Sequence, residues 1–242
     1  MVSGRTTRGL LRSEYNQDQL AIARGRSGIT ILSLFVGLFA ILFTIVRKHR
    51  SAAIDAAITL RLQRRRHPVF NRLMHIVSWP GFPPQSRILP PALAGALLAF
   101  GFKLEALFQL LAWGSGGISF FFKVIMQRSR PGPDFPEIRI AVARIGGTSF
   151  PSGHVLNYIG VYGFLTYLAH TWIHPRLIRR TVVALLGCLL ALVGPSRVYL
   201  GHHWFTDVTA SYLLGFSWLM AFTSVYRRIK RWQVDSWRTR DR

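Results

Sequence analysis

Residues 29–46, ITILSLFVGLFAILFTIV, run for 18 positions without a charge, between Arg24 and Arg26 on one side and Arg47 and Lys48 on the other. At a rise of ~1.5 Å per residue, a helix of that length crosses most of a hydrocarbon layer ~30 Å thick. Five more uncharged runs follow, at 88–102, 106–122, 155–172, 181–196 and 208–226. The second and fifth of the six are short, so those helices must borrow flanking residues, tilt or shelter behind neighbours. Half of the 242 residues are hydrophobic, and six such runs leave too little polar surface for a water-soluble helical protein. The expected fold is all-α: an integral membrane bundle of six transmembrane helices, with short interfacial helices between the first and second spans.

The intervening segment, 47–87, mixes nine Lys or Arg residues with apolar positions such as Ile54, Ile58, Leu62, Phe70, Met74 and Val77. This pattern predicts two amphipathic helices along the interface, broken near His67-Pro68, with arginines that snorkel or recruit anionic lipid. Residues 1–28 read as a basic cytoplasmic tail and 227–242 as a second one. Between them, 29–226 form one six-span membrane domain. The first apolar run starts too late, and lacks the small-residue cleavage pattern, for a signal peptide. Cys188, the sole cysteine, lies inside the fifth run and is expected to be a buried structural thiol.

A formal net charge of +22 would suit nucleic-acid binding. No nucleic-acid fold motif appears, however, and no aromatic residues alternate with the basic runs. Basic residues beside membrane spans are topology signals and attract anionic lipid head groups. The partners expected are therefore a bilayer with anionic lipids and no nucleic acid. With both tails cytoplasmic, the basic residues divide 16 inside and 15 outside, so charge alone does not set the orientation.

Three polar clusters interrupt the apolar pattern: Lys123 with Arg130-Pro131, then Pro151-Ser152-Gly153-His154, then Ser196-Arg197 with His203 and Asp207. Lys123, Arg130 and Arg197 supply fixed positive charge for phosphoryl oxygens. Lys123 and Arg130 are seven apart, which on a helix ending at Pro131 would let both face one pocket. Ser152 can cap the helix that follows, and Gly153 permits close backbone approach, so free N–H groups would point at an anion.

His203 and Asp207 are four apart, one helical turn. A carboxylate that accepts from one imidazole nitrogen leaves the other free to attack phosphorus. His154 can protonate a leaving oxygen and later activate water. The adjacent His202 would point away from Asp207 on a helix and is read as a loop histidine. Arg128, Arg139 and Arg144 are read as ordinary interfacial anchors.

The order Lys-x6-Arg-Pro, Pro-Ser-Gly-His, Ser-Arg-x5-His-x3-Asp resembles the three-part signature of the type 2 phosphatidic acid phosphatase superfamily, matching at every signature position over 123–207. The resemblance implies a membrane lipid phosphate phosphatase acting through a phosphohistidine, with the active site on the periplasmic or extracellular face of the cell membrane. The implied substrates are phosphatidic acid, phosphatidylglycerol phosphate and undecaprenyl diphosphate, and residues 133–150 are the expected lid or specificity loop. Neither a cofactor nor a metal is expected, because the chain has nine Asp and Glu residues, none paired near the motifs, and no Cys cluster. Two alternatives remain open: a phosphotransferase that discharges the same phosphohistidine onto a lipid or sugar hydroxyl, and a non-catalytic anion binder or transporter of the same fold. The sequence does not reveal the oligomeric state.

Overall fold

The computed structural model describes residues 27–65, 67–132, 135–141 and 146–240. The expected N-terminal tail, apart from Ser27 and Gly28, lies outside the described residues, as do Arg66, Arg144 and parts of the expected lid loop. The described residues are all-helical, as the apolar periodicity requires. Helix α1 spans Ser27–Arg47, α2 Ala52–Gln63 and α3 Pro68–Ser78. Then come α4 Gln85–Ala99, α5 Lys103–Trp113, α6 Ser115–Met126, α7 Gly153–Trp172, α8 Arg176–Tyr199 and α9 Phe205–Arg240.

The described residues make six passes, α5 and α6 forming one pass broken at Gly114. Four passes are long and apolar enough to cross a membrane: α1, α5–α6 together, α8 and α9. The other two differ for separate reasons. Helix α4 has 15 residues, ~22 Å of helix against ~30 Å of hydrocarbon. Helix α7 has 20 residues and is long enough, but it carries His154, Asn157 and His170. It forms the centre of the bundle, with nine of its residues buried against α5, α6, α8 and α9.

Packing between these helices is largely aromatic. Phe108, Phe164, Phe222 and Tyr226 interlock where α5, α7 and α9 meet. Phe39, Phe122 and Phe150 do the same between α1, α6 and the loop before α7. Lipid tails are as apolar as these side chains, so close packing and polar contacts, rather than removal from water, hold the helices together. At the end of the bundle remote from the motifs, buried Glu105 accepts from the Tyr226 hydroxyl at 2.8 Å and from Lys230 at 2.7 Å.

Two expectations, for α2 and for Cys188, are corrected. Helix α2 does not bury an apolar stripe. It turns Ser51, Asp55, Thr59 and Gln63 inward and leaves Ile54 exposed, because its protein-facing side meets a polar site and its outer side meets lipid. The segment after 226, expected as a basic tail, is helical and continues α9 to Arg240, which nothing stops, since no Gly or Pro follows Gly215. Cys188 is exposed on α8, which packs one face on the bundle and leaves the other to the bilayer.

Candidate active site

The three polar clusters converge at one end of the bundle, where α6 and α8 finish and α7 and α9 begin. Helix α6 stops at Met126 because Gln127 adopts a left-handed conformation, φ 48°, which ends helices. Lys123 therefore sits on the helix while Arg130 lies beyond it, and the two do not share a helical face as their spacing suggested. The reversal still brings them together: the Lys123 ammonium and Arg130 Nη2 both donate to the carbonyl of Thr148.

Arg130 is held on every side. Its Nε donates to Gly147 O at 3.2 Å and its Nη1 to His202 O at 2.7 Å, and Nη1 also lies 3.0 Å from Nε2 of His203. Burial lowers the pKa of this guanidinium, an effect that Asp207 opposes. It stands directly beside the imidazole nitrogen that faces the pocket.

His203 lies in the loop between α8 and α9, not on a helix. Gly201, at φ 72°, turns the chain there, and a Cβ at that position would meet Arg139 O at 2.5 Å, so a side chain is excluded by conformation and by space. The turn lets the N–H groups of His202 and His203 both bond to Arg197 O, at 3.1 and 3.3 Å. The Nδ1 of His203 donates to the carbonyl of Ser149 at 2.8 Å. Asp207 stands farther off, 3.6 Å from Nδ1, which corrects the expectation that it is the direct acceptor. Burial, and after it the charges of Arg130, Arg197 and Lys123 with His202, hold His203 well below the usual imidazole range. It is therefore neutral near pH 7, with Nε2 carrying the lone pair.

Asp207 has two other tasks. Its Oδ2 accepts from the backbone N–H of Trp204 at 2.9 Å, reaching back from the first turn of α9 to close its start. Its Oδ1 accepts from Arg128 Nη1 at 2.6 Å, and Arg128 Nη2 donates to Asp55 at 2.6 Å. Asp55 and Asp207 are fully buried. Asp55 also accepts from the N–H and hydroxyl of Thr206.

Arg128 is thus no membrane anchor: it bridges two buried carboxylates and joins α2 to α9. Arg139 is exposed, as an interfacial residue would be, but its guanidinium lies over the Tyr199 ring and donates to its hydroxyl at 3.1 Å. The sequence reading missed Asp55 and Arg128. The signal was present in the stripe Ser51, Asp55, Thr59, Gln63, polar every fourth residue from the N-cap to the end of α2.

Ser152 precedes α7 as expected, but its hydroxyl makes no capping bond. That oxygen is buried without a hydrogen-bond partner, while the Ser152 N–H donates to Ser211 Oγ at 2.7 Å. The first helical bond of α7 runs from Leu156 N to Ser152 O, so the N–H groups of Gly153, His154 and Val155 have no acceptor within the helix. A Cβ on Gly153 would sit 3.3 Å from Ser119 Oγ.

Nε2 of His154 and Nε and Nη2 of Arg197 are buried without partners, although Arg197 Nη1 donates to Ser78 Oγ at 2.6 Å. Phe82 lies over the Arg197 guanidinium at 4.8 Å and edge-on to His154 at 5.1 Å. It also lines a cleft of about 460 Å³ with His75, Ile76 and Trp79. Among the described residues, no three His, Cys, Asp or Glu side chains gather in a metal-binding group.

Known proteins resemble this chain in sequence and in fold. The family model described as the PAP2 superfamily matches residues 102–231. Phosphatidylglycerophosphatase B of Bacillus subtilis is 30% identical over 207 residues, covering 84% of this chain and 97% of that protein. The crystal structure of the first transmembrane PAP2 type phosphatidylglycerolphosphate phosphatase from Bacillus subtilis superposes with a TM-score of 0.71 at 26% identity, over 83% of this chain and 98% of that one. LpxE of Aquifex aeolicus shares the fold, with a TM-score of 0.55 at 19% identity over 71% of this chain and 95% of its own.

Proposed function

Since this chain belongs to the PAP2 superfamily, we propose that it is a membrane lipid phosphate phosphatase working through a phosphohistidine on His203, without a metal ion, and that phosphatidylglycerol phosphate is its preferred substrate. The substrate assignment draws on the phosphatidylglycerophosphatase relative, which this chain covers almost end to end. Phosphatidic acid and undecaprenyl diphosphate are the comparison substrates.

In the first step, His203 Nε2 attacks phosphorus. The P–N bond forms as the P–O bond breaks, and the leaving oxygen takes its electron pair and a proton from His154, which the negative charge of the bound phosphate group holds in its protonated form. His154, now neutral, removes a proton from a water that attacks phosphorus opposite Nε2. The P–N bond breaks and its electron pair returns to His203, releasing phosphate. Lys123, Arg130 and Arg197 hold the phosphoryl oxygens, with the N–H groups at the start of α7 beside them. Arg130 would move its Nη1 contact from Nε2 to a phosphoryl oxygen when substrate arrives. Arginine suits this role because its fork can bind two oxygens at once.

The observation that carries this reading is the pose of His203: Nδ1 fixed by Ser149 O at 2.8 Å and Nε2 turned to Arg130 at 3.0 Å. Asp207 acts by closing the start of α9 and holding Arg128, not as the direct partner of the nucleophile.

Residues 29–226 form the proposed catalytic membrane domain, with the site on the periplasmic or extracellular face and both termini cytoplasmic. An even number of passes supports a common side for the termini, opposite the end that carries the motifs.

Phosphate release from the three lipids in detergent with EDTA, for the wild-type protein and His203→Ala, tests the proposal. Release that survives EDTA, is fastest with phosphatidylglycerol phosphate and vanishes in the variant is the expected result. Release that requires a divalent metal, or persists in His203→Ala, would overturn it.

A further inference from the structure

A groove of about 620 Å³ lies between the two interfacial helices and the last two membrane helices, and it shares no lining residue with the phosphate site. One wall is α8 from Ala191 to Val198, so the groove descends roughly 10 Å from the interface into the hydrocarbon layer. Pro195 has no N–H to offer Ala191 O, and an unsatisfied carbonyl there would be costly in lipid. The Tyr212 hydroxyl covers that deficit. It lies 2.7 Å from Leu190 O and 3.0 Å from Ala191 O, and it accepts from Gly194 N at 2.9 Å. With its backbone groups satisfied, the deep part of the groove presents an apolar wall.

The interfacial end is different. Arg61 and Arg65, one turn apart at the end of α2, are exposed and line the groove. Among the described residues neither forms an ion pair with a carboxylate. Two unneutralised guanidiniums at head-group depth, above an apolar slot, match a phosphate attached to an acyl chain.

We propose that this groove binds an anionic phospholipid that is not the substrate, with one acyl chain along α8 and α9 and the head-group phosphate on Arg61 and Arg65. A zwitterionic lipid would bring a cation toward the same arginines. A substrate lipid seated here would leave its phosphate outside the pocket, since Arg197 turns inward to Ser78. The occupant also clamps α2, the helix whose Asp55 holds Arg128, so it should stabilise the folded protein.

The test is thermal unfolding of the full-length protein, delipidated in a neutral detergent, with added phosphatidylglycerol or phosphatidylcholine of the same chains. Phosphatidylglycerol is expected to raise the midpoint by several degrees, through preferential binding to the folded state, and phosphatidylcholine to leave it unchanged. Arg61→Gln/Arg65→Gln should have the wild-type midpoint without lipid and lose the shift. Arg61→Lys/Arg65→Lys should keep part of it, and Ala191→Trp, which fills the slot below, should lose it. An undiminished shift in the Gln variant, or an equal shift with phosphatidylcholine, would overturn the proposal. No turnover is read, so these outcomes are independent of whether His203 is the nucleophile.

Discussion

The carbonyl oxygen of Ser149 accepts the Nδ1 proton of His203 at 2.8 Å, while the Asp207 carboxylate, one turn along the chain, lies 3.6 Å from the same nitrogen. A backbone carbonyl therefore fixes the imidazole tautomer, and the carboxylate is left for Arg128 and the Trp204 N–H. Asp207→Asn keeps an oxygen for Trp204 and leaves Ser149 untouched. It is expected to lower kcat far less than His203→Ala, for which a loss on the order of 10⁶-fold is the precedent for removing a nucleophile. Equal losses in steady-state assays of the two variants would return Asp207 to the role of direct partner.

Arg128 bridges two fully buried carboxylates, Asp55 and Asp207, at 2.6 Å each. Replacing one member of a buried pair leaves the other charge uncompensated, at a cost of about 3–5 kcal/mol. Arg128→Met should destabilise the protein by that order in denaturant unfolding. Asp55→Asn combined with Arg128→Met should cost less than the sum of the single changes, because the shared interaction is lost once. Strict additivity would mean that the bridge contributes nothing to the fold.

His203 is kept neutral by burial first and by the surrounding cations second. The acid limb of kcat/KM due to this residue should therefore lie well below pH 6.5, the ordinary imidazole value. The same shift bears on stability. The unfolded chain takes up a proton that the folded one refuses, so this contribution is complete above about pH 6.5 and is lost as pH falls toward the lowered folded value. Titration of His203 at or above pH 6.5, read by NMR in the free protein, would contradict this.

Gly201 needs both its positive φ and its missing Cβ. Gly201→Ala is expected to cost roughly 1–3 kcal/mol of backbone strain and, by moving the loop that carries His203, to lower kcat even at saturating substrate. Wild-type kcat in a folded variant would show that the loop tolerates the shift.

The sequence made the helical membrane architecture legible because uncharged runs long enough to span lipid have few other uses. It also made the candidate site legible in outline, since Lys123, Arg130, His154, Arg197 and His203, read from the sequence as one cluster, lie together at one end of the bundle. Contacts that depend on loop paths were hidden. The left-handed Gln127 separates Arg130 from the helix of Lys123. The Ser149 carbonyl carries no side-chain signature, so spacing favoured the carboxylate of Asp207. Arg128 looked like an anchor because its partner Asp55 is 73 residues away, beyond any local pattern.

The most direct test of His203 as nucleophile is to trap the covalent intermediate with ³²P-labelled p-nitrophenyl phosphate in EDTA. Nitrophenolate leaves without a proton, so His154→Gln should still be phosphorylated but should hydrolyse the intermediate slowly. An acid-labile, alkali-stable phosphoenzyme that accumulates in His154→Gln, maps to His203 and is absent from His154→Gln/His203→Ala is the predicted result. Label that maps elsewhere, or no phosphoenzyme while phosphate is still released, would contradict the mechanism.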